Sequence, residues 1–578
     1  MSITLYSLLI LLLLLLILWP ALYYLRLYRH PIVVNLSANP THLLVMPLEQ
    51  LAQTKQLMQK THRLDNVLAQ NEVDMTWLDD AIDFWAATSN QKRCELLAER
   101  LNAVCERPKA NQIDENVFAL YLGETFPLNF DRCLVYFSPP ALPAADVIRR
   151  LQKDDMYLRD VIVISLTPRQ QTQLRSHGEN TTTRWVVPNS RELTALLLHP
   201  KPIALFAGLL AKQLAVTRLS PYETTGGVTK ETAFFGREKI LAHILNRELT
   251  NYLIIGGRQV GKSSLLKQIQ RHYQNHFQVE CHYLVLFRNN LREELTVSFN
   301  LPKDTSLDDL LEKLGTIPRG RHRLLLIDEA DKFIRDEIDK GYPILSFFRG
   351  LSEQGRCHFI LAGFWDLYDA ASLNYQTPIK NFGQSIFIGK LEPEACRQLA
   401  TQPMTMLDIR YEQAQLVEHI LKQTGQRANL IATVCDQMLQ KLTHEKRVLN
   451  QNDVKKALNS EAVLESLSGW THLIDNDEQA TQLDRIIVYA TVKKGEFNQK
   501  ALINFLNKQH YVYTAEQLKQ SLKRLELAFI IQRNKDRYFY CVPLFIKMLQ
   551  EQDITSLLKK ELQSVLSQKT VSDKSNLF

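Results

Sequence analysis

The sequence predicts an α/β protein whose main domain is a doubly wound parallel sheet, and three observations support this. Apolar runs of strand length alternate with amphipathic helical segments through the middle of the chain, which is typical of a parallel sheet. One of these runs ends in a glycine-rich bend that leads directly into a helix. Beyond Leu391 the strands stop and amphipathic helices follow, which favours a helical lid beside the sheet.

The stretch NYLIIGGRQVGKSSLLKQ, Asn251–Gln268, contains the pattern G-x-x-x-x-G-K-S of a phosphate-binding P-loop. Glycines let backbone N–H groups curl around phosphate oxygens, and the helix that follows directs its positive end at the same anion. Lys262 is expected to reach the β- and γ-phosphates, and the Ser263 hydroxyl to bind Mg²⁺. The alternative is a chance strand–turn–helix. The predicted nucleotide-binding residues are Gly256, Gly257, Arg258, Gln259, Val260, Gly261, Lys262, Ser263 and Ser264.

A second acidic motif, RLLLIDEADKF, spans Arg323–Phe333. Its apolar letters predict a buried strand, and Asp328 at the end of that strand is expected to hold Mg²⁺ through water. Glu329 is then placed to polarise an attacking water, which predicts ATP turnover as well as binding. Without a P-loop upstream, such an acidic pair would more often be a solvated loop.

The N-terminal run from Ile3 to Leu25 carries no charge and is long enough to cross a bilayer. Arg26 and Arg29 follow it, which predicts a single-pass membrane protein with its ATPase body in the cytoplasm. The eight cysteines are scattered without a C-x-x-C pair and are expected to be reduced thiols. The alternative for the apolar run is a buried core helix.

The 578 residues are expected to form several domains. The predicted domains are a transmembrane anchor at 1–25, an α/β domain of unreadable role at 30–217, a P-loop ATPase core at 218–390, a helical lid at 391–460, a winged helix-turn-helix at 461–560 and a polar tail at 561–578. No His or Cys cluster has zinc-like spacing, so Mg²⁺ is the one metal expected.

The predicted winged helix has two possible partners. Between Phe497 and Gln550 the chain has nine Lys and Arg against three Asp and Glu, a charge that a nucleic-acid backbone would attract. The basic residues considered are Lys519, Lys523 and Arg524 on the second helix and Arg533, Lys535 and Arg537 on the wing. Protein docking and autoinhibition remain open alternatives to DNA binding.

With these motifs in order, the chain resembles AAA+-like ATPases of the STAND and archaeal-ATPase type, relatives of origin-recognition ATPases. The resemblance covers about Ser220–Leu549 and is carried by FFGRE at Phe234–Glu238, by the P-loop and by LLLIDEAD. It implies ATP binding, with Arg237 beside the nucleotide and Arg427 of TGQRANL as a lid arginine touching the γ-phosphate. An exposed helix-cap arginine is the alternative for Arg427.

The sequence departs from the family pattern in two places. Gly363 stands where many AAA+ members have a polar sensor, for which Asp366 is a weak substitute, and the lid turn lacks a Gly-x-Pro. No arginine finger is assigned; the candidates are Arg319, Arg321, Arg349 and Arg356.

The leading hypothesis is a membrane-anchored ATPase that binds and hydrolyses ATP with Mg²⁺ and acts as a nucleotide-driven switch, with a nucleotide-dependent homo-oligomer left open. The rival is a non-catalytic signalling scaffold that binds nucleotide and recruits a protein or DNA partner through the winged helix. A DEAD-box helicase is disfavoured, because no second α/β lobe follows Leu391.

Overall fold

The structure is a computed structural model that describes residues 18–19, 22–108, 115–153, 160–180, 184–214, 219–287, 290–318, 320–374, 377–442, 446–475 and 477–563. The chain divides into two compact units. The first comprises residues 1–220 with 406–408, and the second comprises residues 221–405 with 409–578.

The N-terminal unit is a five-stranded mixed sheet with surrounding helices. Its helices are α1 (Pro31–Ala38), α2 (Leu51–Lys60), α3 (Leu64–Gln70), α4 (Met75–Ala86), α5 (Asn90–Arg100), α6 (Ala144–Lys153), α7 (Pro168–Asn180), α8 (Ser190–Leu198) and α9 (Pro202–Gln213). Its strands are β1 (Ala103–Glu106), β2 (Val117–Leu122), β3 (Arg132–Phe137), β4 (Val161–Ile164) and β5 (Trp185–Val186), in the spatial order β1-β2-β3-β4-β5. The first three pair antiparallel and the last three parallel. The short apolar runs at 133–138, 161–166 and 184–188 predict the last three strands, whereas β1 and β2 were not predicted.

One cysteine pair corrects the prediction of reduced thiols throughout. Cys94 on α5 and Cys105 on β1 form a disulfide in the structure, with their Cα atoms 6.3 Å apart. They lie eleven positions apart in the chain without a C-x-x-C spacing, so the sequence pattern gave no sign of the pair. The other six cysteines are free thiols.

The predicted membrane anchor is not supported. Within the described part of the chain, no helix combines the length and the apolar character needed to cross a membrane. The prediction of a single-pass membrane protein with a cytoplasmic body is therefore corrected. Most of the apolar run on which it rested, residues 3–17 and 20–21, lies outside the described residues.

The second unit begins with a five-stranded parallel sheet. Its strands are β6 (Tyr252–Ile255), β7 (Val279–Val285), β8 (His322–Asp328), β9 (Cys357–Gly363) and β10 (Gln384–Phe387), in the spatial order β10-β6-β9-β8-β7. Its helices are α10 (Glu238–Leu245), α11 (Lys262–Tyr273), α12 (Leu291–Ser298), α13 (Leu307–Gly315), α14 (Asp331–Lys340), α15 (Pro343–Glu353) and α16 (Trp365–Tyr368). The sequence predicted β6 to β9 and missed β10, a short edge strand whose four residues are exposed or half-buried.

The central strands are buried on both faces, as their continuous apolar letters require. In β6, Leu253 and Ile255 pack into one apolar cluster, while Tyr252 and Ile254 pack into another on the opposite face. Because side chains alternate along a strand, each face of the sheet receives every second residue and is covered by helices. This places the loops after the strands at a single edge of the sheet.

A helical segment and a small mixed module complete the second unit. The helices α17 (Pro393–Met406), α18 (Ala414–Gln423), α19 (Ala428–Gln440), α20 (Gln451–Leu458) and α21 (Glu461–Ser468) come first, with a short parallel pair, β11 (Arg410–Tyr411) and β12 (Val448–Leu449). The C-terminal module then contains α22 (Glu478–Thr491), β13 (Glu496–Asn498), α23 (Gln499–Lys508), α24 (Ala515–Leu527), β14 (Ile531–Asn534), β15 (Arg537–Tyr540) and α25 (Pro543–Gln550). Its three strands form an antiparallel sheet in the order β13-β15-β14.

A buried ion pair ties α24 to α22 inside the C-terminal module. The Arg524 guanidinium donates to both carboxylate oxygens of Asp484 at 2.9 Å, and both side chains are about 2% exposed. Burial raises the pKa of Asp484, and the Arg524 charge opposes that rise. The same guanidinium lies 4.7 Å from the ring centre of Trp365, which belongs to the parallel-sheet core. Arg524, considered from sequence as a DNA contact, is therefore a packing residue.

We expect Arg524→Met to destabilise the second unit by about 3–5 kcal/mol, because it leaves the Asp484 carboxylate buried without a partner. The exposed pair Arg537–Glu496, with 55% and 43% of its side chains exposed, provides the control. Arg537→Met is expected to cost no more than about 1 kcal/mol. Urea unfolding of the two variants measures the difference, and equal midpoints would contradict the assignment of Arg524 to the core.

Candidate nucleotide-binding site

The predicted P-loop lies between β6 and α11, at the carboxyl edge of the parallel sheet. Gly261 takes φ +95°, a left-handed conformation that favours glycine, and open space surrounds the position of its missing Cβ. A Cβ on Gly256 would meet the carbonyl oxygen of Ile388 at 2.7 Å. Both motif glycines are thus required, one by backbone conformation and the other by close packing.

Lys262 is the first residue of α11 and is buried. Its Nζ donates to the carbonyl oxygens of Gly256 at 2.9 Å and Gly257 at 2.8 Å, so the ammonium lies across the loop. Burial lowers the pKa of Lys262, and the nearby carboxylates, first of all Glu329, oppose that change. The side chain therefore holds a poorly hydrated positive charge inside the predicted phosphate cradle.

Asp328 ends β8 and is almost fully buried. One carboxylate oxygen accepts the hydroxyl of Tyr283 at 2.9 Å, and the other accepts the backbone N–H of Glu329 at 3.0 Å. Burial and the neighbouring Asp328 charge raise the pKa of Tyr283, so it stays a neutral donor. Sequence reasoning missed Tyr283, which lies on β7 and meets Asp328 only through the pairing of the two strands.

Glu329 has φ +53°, a conformation that is costly for a residue with a side chain. A cavity of about 410 Å³ is lined by Glu329 together with Lys262 and Asp331. Desolvation in this cleft raises the pKa of Glu329, and Lys262 is the largest influence that opposes the rise. The structure thus brings two of the predicted catalytic residues, Lys262 and Glu329, to one cavity.

Asp331, which the sequence analysis did not single out, fixes the turn after β9. Its carboxylate accepts backbone N–H groups from Phe364 at 2.7 Å, Asp366 at 3.0 Å and Leu367 at 3.2 Å. These N–H groups open the short helix α16, where a carboxylate satisfies donors that would otherwise lack partners. Asp331, the third acidic residue of the DEAD sequence, therefore positions the turn at the end of strand β9.

The weak sensor candidate Asp366 is engaged elsewhere. It forms an ion pair with Arg335 at 2.5 Å, and its pKa is raised by burial against the effect of that arginine. Both side chains line the same cavity as Glu329. Gly363 has no room for a larger residue, since a Cβ would lie 2.9 Å from that of Leu367.

Arg427 precedes α19 and reaches the P-loop. Its terminal nitrogen donates to the carbonyl oxygen of Arg258 at 2.8 Å. Its Nε is buried and has no hydrogen-bond partner among the described residues. Desolvation lowers the pKa of Arg427 to about 10. The lid arginine predicted from the family resemblance therefore contacts the phosphate-binding loop with one donor still unused.

Arg237 is buried and acts on the backbone around the P-loop. Its guanidinium donates to the carbonyl oxygens of Gly389 at 2.6 Å, Lys390 at 3.0 Å and Val260 at 3.3 Å. Burial lowers its pKa. These contacts join the P-loop to the segment that leads out of the core toward the helical segment.

A second cavity, of about 250 Å³, also borders the P-loop. Gln259, Val260 and Gly261 form one wall, and residues of the segment from Pro221 to Phe235 form another. Its remaining wall comes from α17 and α19. The aromatic pair in FFGRE was the one sequence sign of this cavity, and the residues from the helical segment could not be located without the fold.

Ser264, at the start of α11, is hydrogen-bonded to the segment that precedes the core. Its hydroxyl accepts the backbone N–H of Val228 at 3.0 Å. A Cβ on Gly227 would approach that of Ser263 at 2.7 Å, so the segment crosses directly over the first turn of α11.

The C-terminal module docks on the P-loop through backbone. The N–H of Gly257 donates to the carbonyl oxygen of Leu527, the last residue of α24, at 2.8 Å. A Cβ on Gly257 would meet the Cα of Ala528 at 2.8 Å. Nearby, Lys523 lies 5.5 Å from the ring centres of both Tyr368 and Phe387. Helix α24, whose basic residues were considered as possible DNA contacts, thus faces the parallel-sheet core.

The residues present fit a nucleoside triphosphate. The glycine loop offers an open cradle at Gly261, Lys262 supplies the charge, and Arg427 has an unpartnered buried donor. Oxygen atoms such as those of Ser263 and Asp328 are the ligand type that Mg²⁺ takes when phosphates complete its coordination. Of the described residues, no group of three or more His, Cys, Asp or Glu could hold a metal ion by itself.

Comparison with known families assigns the centre of the chain. Residues 219–467 match the family model described as Novel STAND NTPase 1. The predicted resemblance to STAND-type P-loop NTPases is confirmed for this stretch. This STAND-type region includes the P-loop, the acidic strand end and α17 to most of α21, but not the C-terminal module. No curated protein matches the chain.

Several solved structures are similar to part of the chain at low identity. The Walker-type ATPase PABY2304 of Pyrococcus abyssi is 16% identical, with 56% of this chain and 98% of that chain covered and a TM-score of 0.42. The Aeropyrum pernix ORC2 protein is 14% identical, with coverages of 58% and 97% and a TM-score of 0.33. Cdc6p from Pyrobaculum aerophilum is 14% identical, with coverages of 59% and 98% and a TM-score of 0.31.

We expect Asp331→Ala to destabilise the second unit by about 2 kcal/mol, because three backbone N–H groups lose a charged acceptor. Asp339→Ala, an exposed position on the same helix, is the matched control and should be nearly neutral. Chemical unfolding compares the two, and amide hydrogen exchange at residues 364–367 should accelerate in Asp331→Ala alone. Unchanged exchange there would contradict the positioning role.

Proposed function

We propose that the STAND-type region binds ATP with Mg²⁺, hydrolyses it, and uses the nucleotide state to control the docking of the C-terminal module. The observation that carries this proposal is the shared cavity of Lys262 and Glu329 at the carboxyl edge of the parallel sheet. Ligands of open α/β sheets bind at this edge. The contact between Gly257 and Leu527 adds the link to the module.

Phosphate binding is assigned to residues 256–264. The Lys262 ammonium is already desolvated and held at the loop, so it would meet the β- and γ-phosphates at little further cost. Ser263 and Asp328 would hold Mg²⁺, which would supply positive charge to offset that of the phosphates. Arg427 would add its unused Nε donor from the helical segment.

Hydrolysis is assigned to Glu329. Its raised pKa makes the carboxylate a better proton acceptor than an ordinary glutamate, provided that it remains ionised. Asp331 and Arg335 hold the opposite wall of the cavity in place through the turn after β9. This arrangement favours an ATPase over the rival hypothesis of a non-catalytic scaffold.

The C-terminal module has the element order of a winged helix-turn-helix, with α22, α23 and α24 as the helices and the β14–β15 hairpin as the wing. Helix α24 packs on the core, where Arg524 faces Trp365 and Lys523 faces two aromatic rings. This contact favours docking against the ATPase as the role of that helix. Arg533, Lys535 and Arg537 on the wing remain exposed, so a DNA or protein partner of the wing stays the second candidate.

Two substitutions separate binding from turnover. Lys262→Ala is expected to lower ATP affinity by at least about a hundredfold, because it removes the charged donor that meets the phosphates. Glu329→Gln should keep ATP affinity within about threefold and lose most phosphate release, since an amide cannot accept the proton of water. Calorimetry and a phosphate-release assay measure the two effects. Full turnover in Glu329→Gln would assign the catalytic base to another residue, whereas ATP binding without phosphate release in the wild type would support the scaffold hypothesis.

The raised pKa of Glu329 also sets the sign of the pH response. The carboxylate must be ionised to act, so turnover at saturating ATP should fall as the pH is lowered through this raised pKa, which lies above the ordinary value of 4.5. In the Glu329→Gln background the residual rate should lose this dependence. An identical acid limb in both proteins would assign it to another group.

Docking of the module is tested at Gly257. In Gly257→Ala the new methyl group would clash with the backbone of Ala528, so the module should detach while the site residues stay in place. We expect faster hydrogen exchange in α24 and a changed rate of phosphate release. Gly350→Ala, on a helix with open space around it, is the control. Unaltered exchange in α24 would contradict a docked module.

A further inference from the structure

The cavity beside the P-loop contains one side-chain amide without a partner. Asn429 is the second residue of α19 and lines the 250 Å³ cavity together with Gln259, Val260 and Gly261 of the P-loop. Its Nδ2 is buried and makes no hydrogen bond to any described residue. A buried donor left unsatisfied costs about 1–3 kcal/mol, so a site that retains one is expected to satisfy it with a ligand.

Other polar side chains of this cavity are already engaged. Glu223 accepts the backbone N–H groups of Thr229 at 2.9 Å and Lys230 at 3.2 Å. Arg237 donates to three backbone carbonyls through both of its terminal nitrogens, and Ser264 accepts from Val228. The amide of Asn429 is therefore available to a ligand in a way that these groups are not.

The rest of the cavity suits a flat, apolar group. Phe234, Phe235, Leu399 and Pro403 contribute rings and aliphatic surface to its wall. Phosphates held at the P-loop would place the base of the same nucleotide within reach of this wall, since residues 259–261 line this cavity and their chain neighbours Arg258 and Lys262 line the cavity of Glu329. Aromatic and aliphatic walls with one polar group are typical of sites that fix the orientation of a small ligand.

We propose that Asn429 selects adenine, with its Nδ2–H donating to the ring nitrogen N7 and its Oδ1 accepting from the N6 amino group. This inference rests on the proposed function, because it needs ATP at the P-loop. Asparagine amides match this edge of adenine with two hydrogen bonds. Guanine presents an oxygen acceptor in place of the amino group, so it would face Oδ1 with a second acceptor.

The test measures the affinities of the full-length chain for ATP, 7-deaza-ATP and GTP. Wild type is expected to bind ATP about tenfold more tightly than 7-deaza-ATP, which lacks the N7 acceptor. The preference for ATP over GTP should be larger than this. Asn429→Ala should bind ATP about tenfold more weakly and should no longer distinguish ATP from 7-deaza-ATP. Asn429→Asp keeps the size of the side chain, loses the donor, and should weaken ATP binding at least as much.

Asn452→Ala is the matched control, because Asn452 is also the second residue of its helix and is exposed. It should behave as wild type, and thermal unfolding should show all three variants folded. Equal wild-type affinities for ATP and 7-deaza-ATP would overturn the proposal, as would a variant at 429 that keeps the wild-type discrimination. If wild type binds no nucleotide in a Lys262-dependent way, the proposed function itself fails.

Discussion

Backbone has to approach backbone at Gly256 and Gly257, and the second unit is organised around that requirement. At the first position a Cβ would strike the Ile388 carbonyl, and at the second it would strike the chain at Ala528. The P-loop therefore packs against the segment that follows β10 and against the C-terminal module. Arg237 reinforces the first contact by donating to the carbonyls of both segments.

Much of the core was predictable because its signals are local. Three of its strands, β6, β8 and β9, are built on continuous apolar runs, and the P-loop and Asp328-Glu329 lie at the ends of two of them. Buried strands and glycine-dependent turns are specified by residues that are adjacent in the sequence, so their type and order could be predicted from it. β10 has a weaker sequence pattern, because an edge strand that is exposed or half-buried lacks the continuous apolar run of a buried strand.

The remainder depends on partners far apart in the chain. Tyr283 reaches Asp328 through strand pairing, and Leu527 reaches Gly257 from 270 positions further along the chain, which no local pattern encodes. The role of Arg524 also depends on a residue that is distant in the sequence. A basic residue on an amphipathic helix looks like a surface charge in the sequence, and only its pairing with Asp484 reveals it as part of a core.

The docking of α24 consists of a backbone hydrogen bond, close backbone contacts and cations over aromatic rings. Dissolved ions screen exposed charge pairs over distances of about 10 Å at 0.1 M ionic strength, but they have little effect on contacts of this short range. Ionic strength is therefore a poor means of releasing the module. Under the proposed function, a change in the shape of the P-loop would act directly on the Gly257–Leu527 contact, so the loop backbone, rather than the surrounding salt, would govern whether the two parts separate.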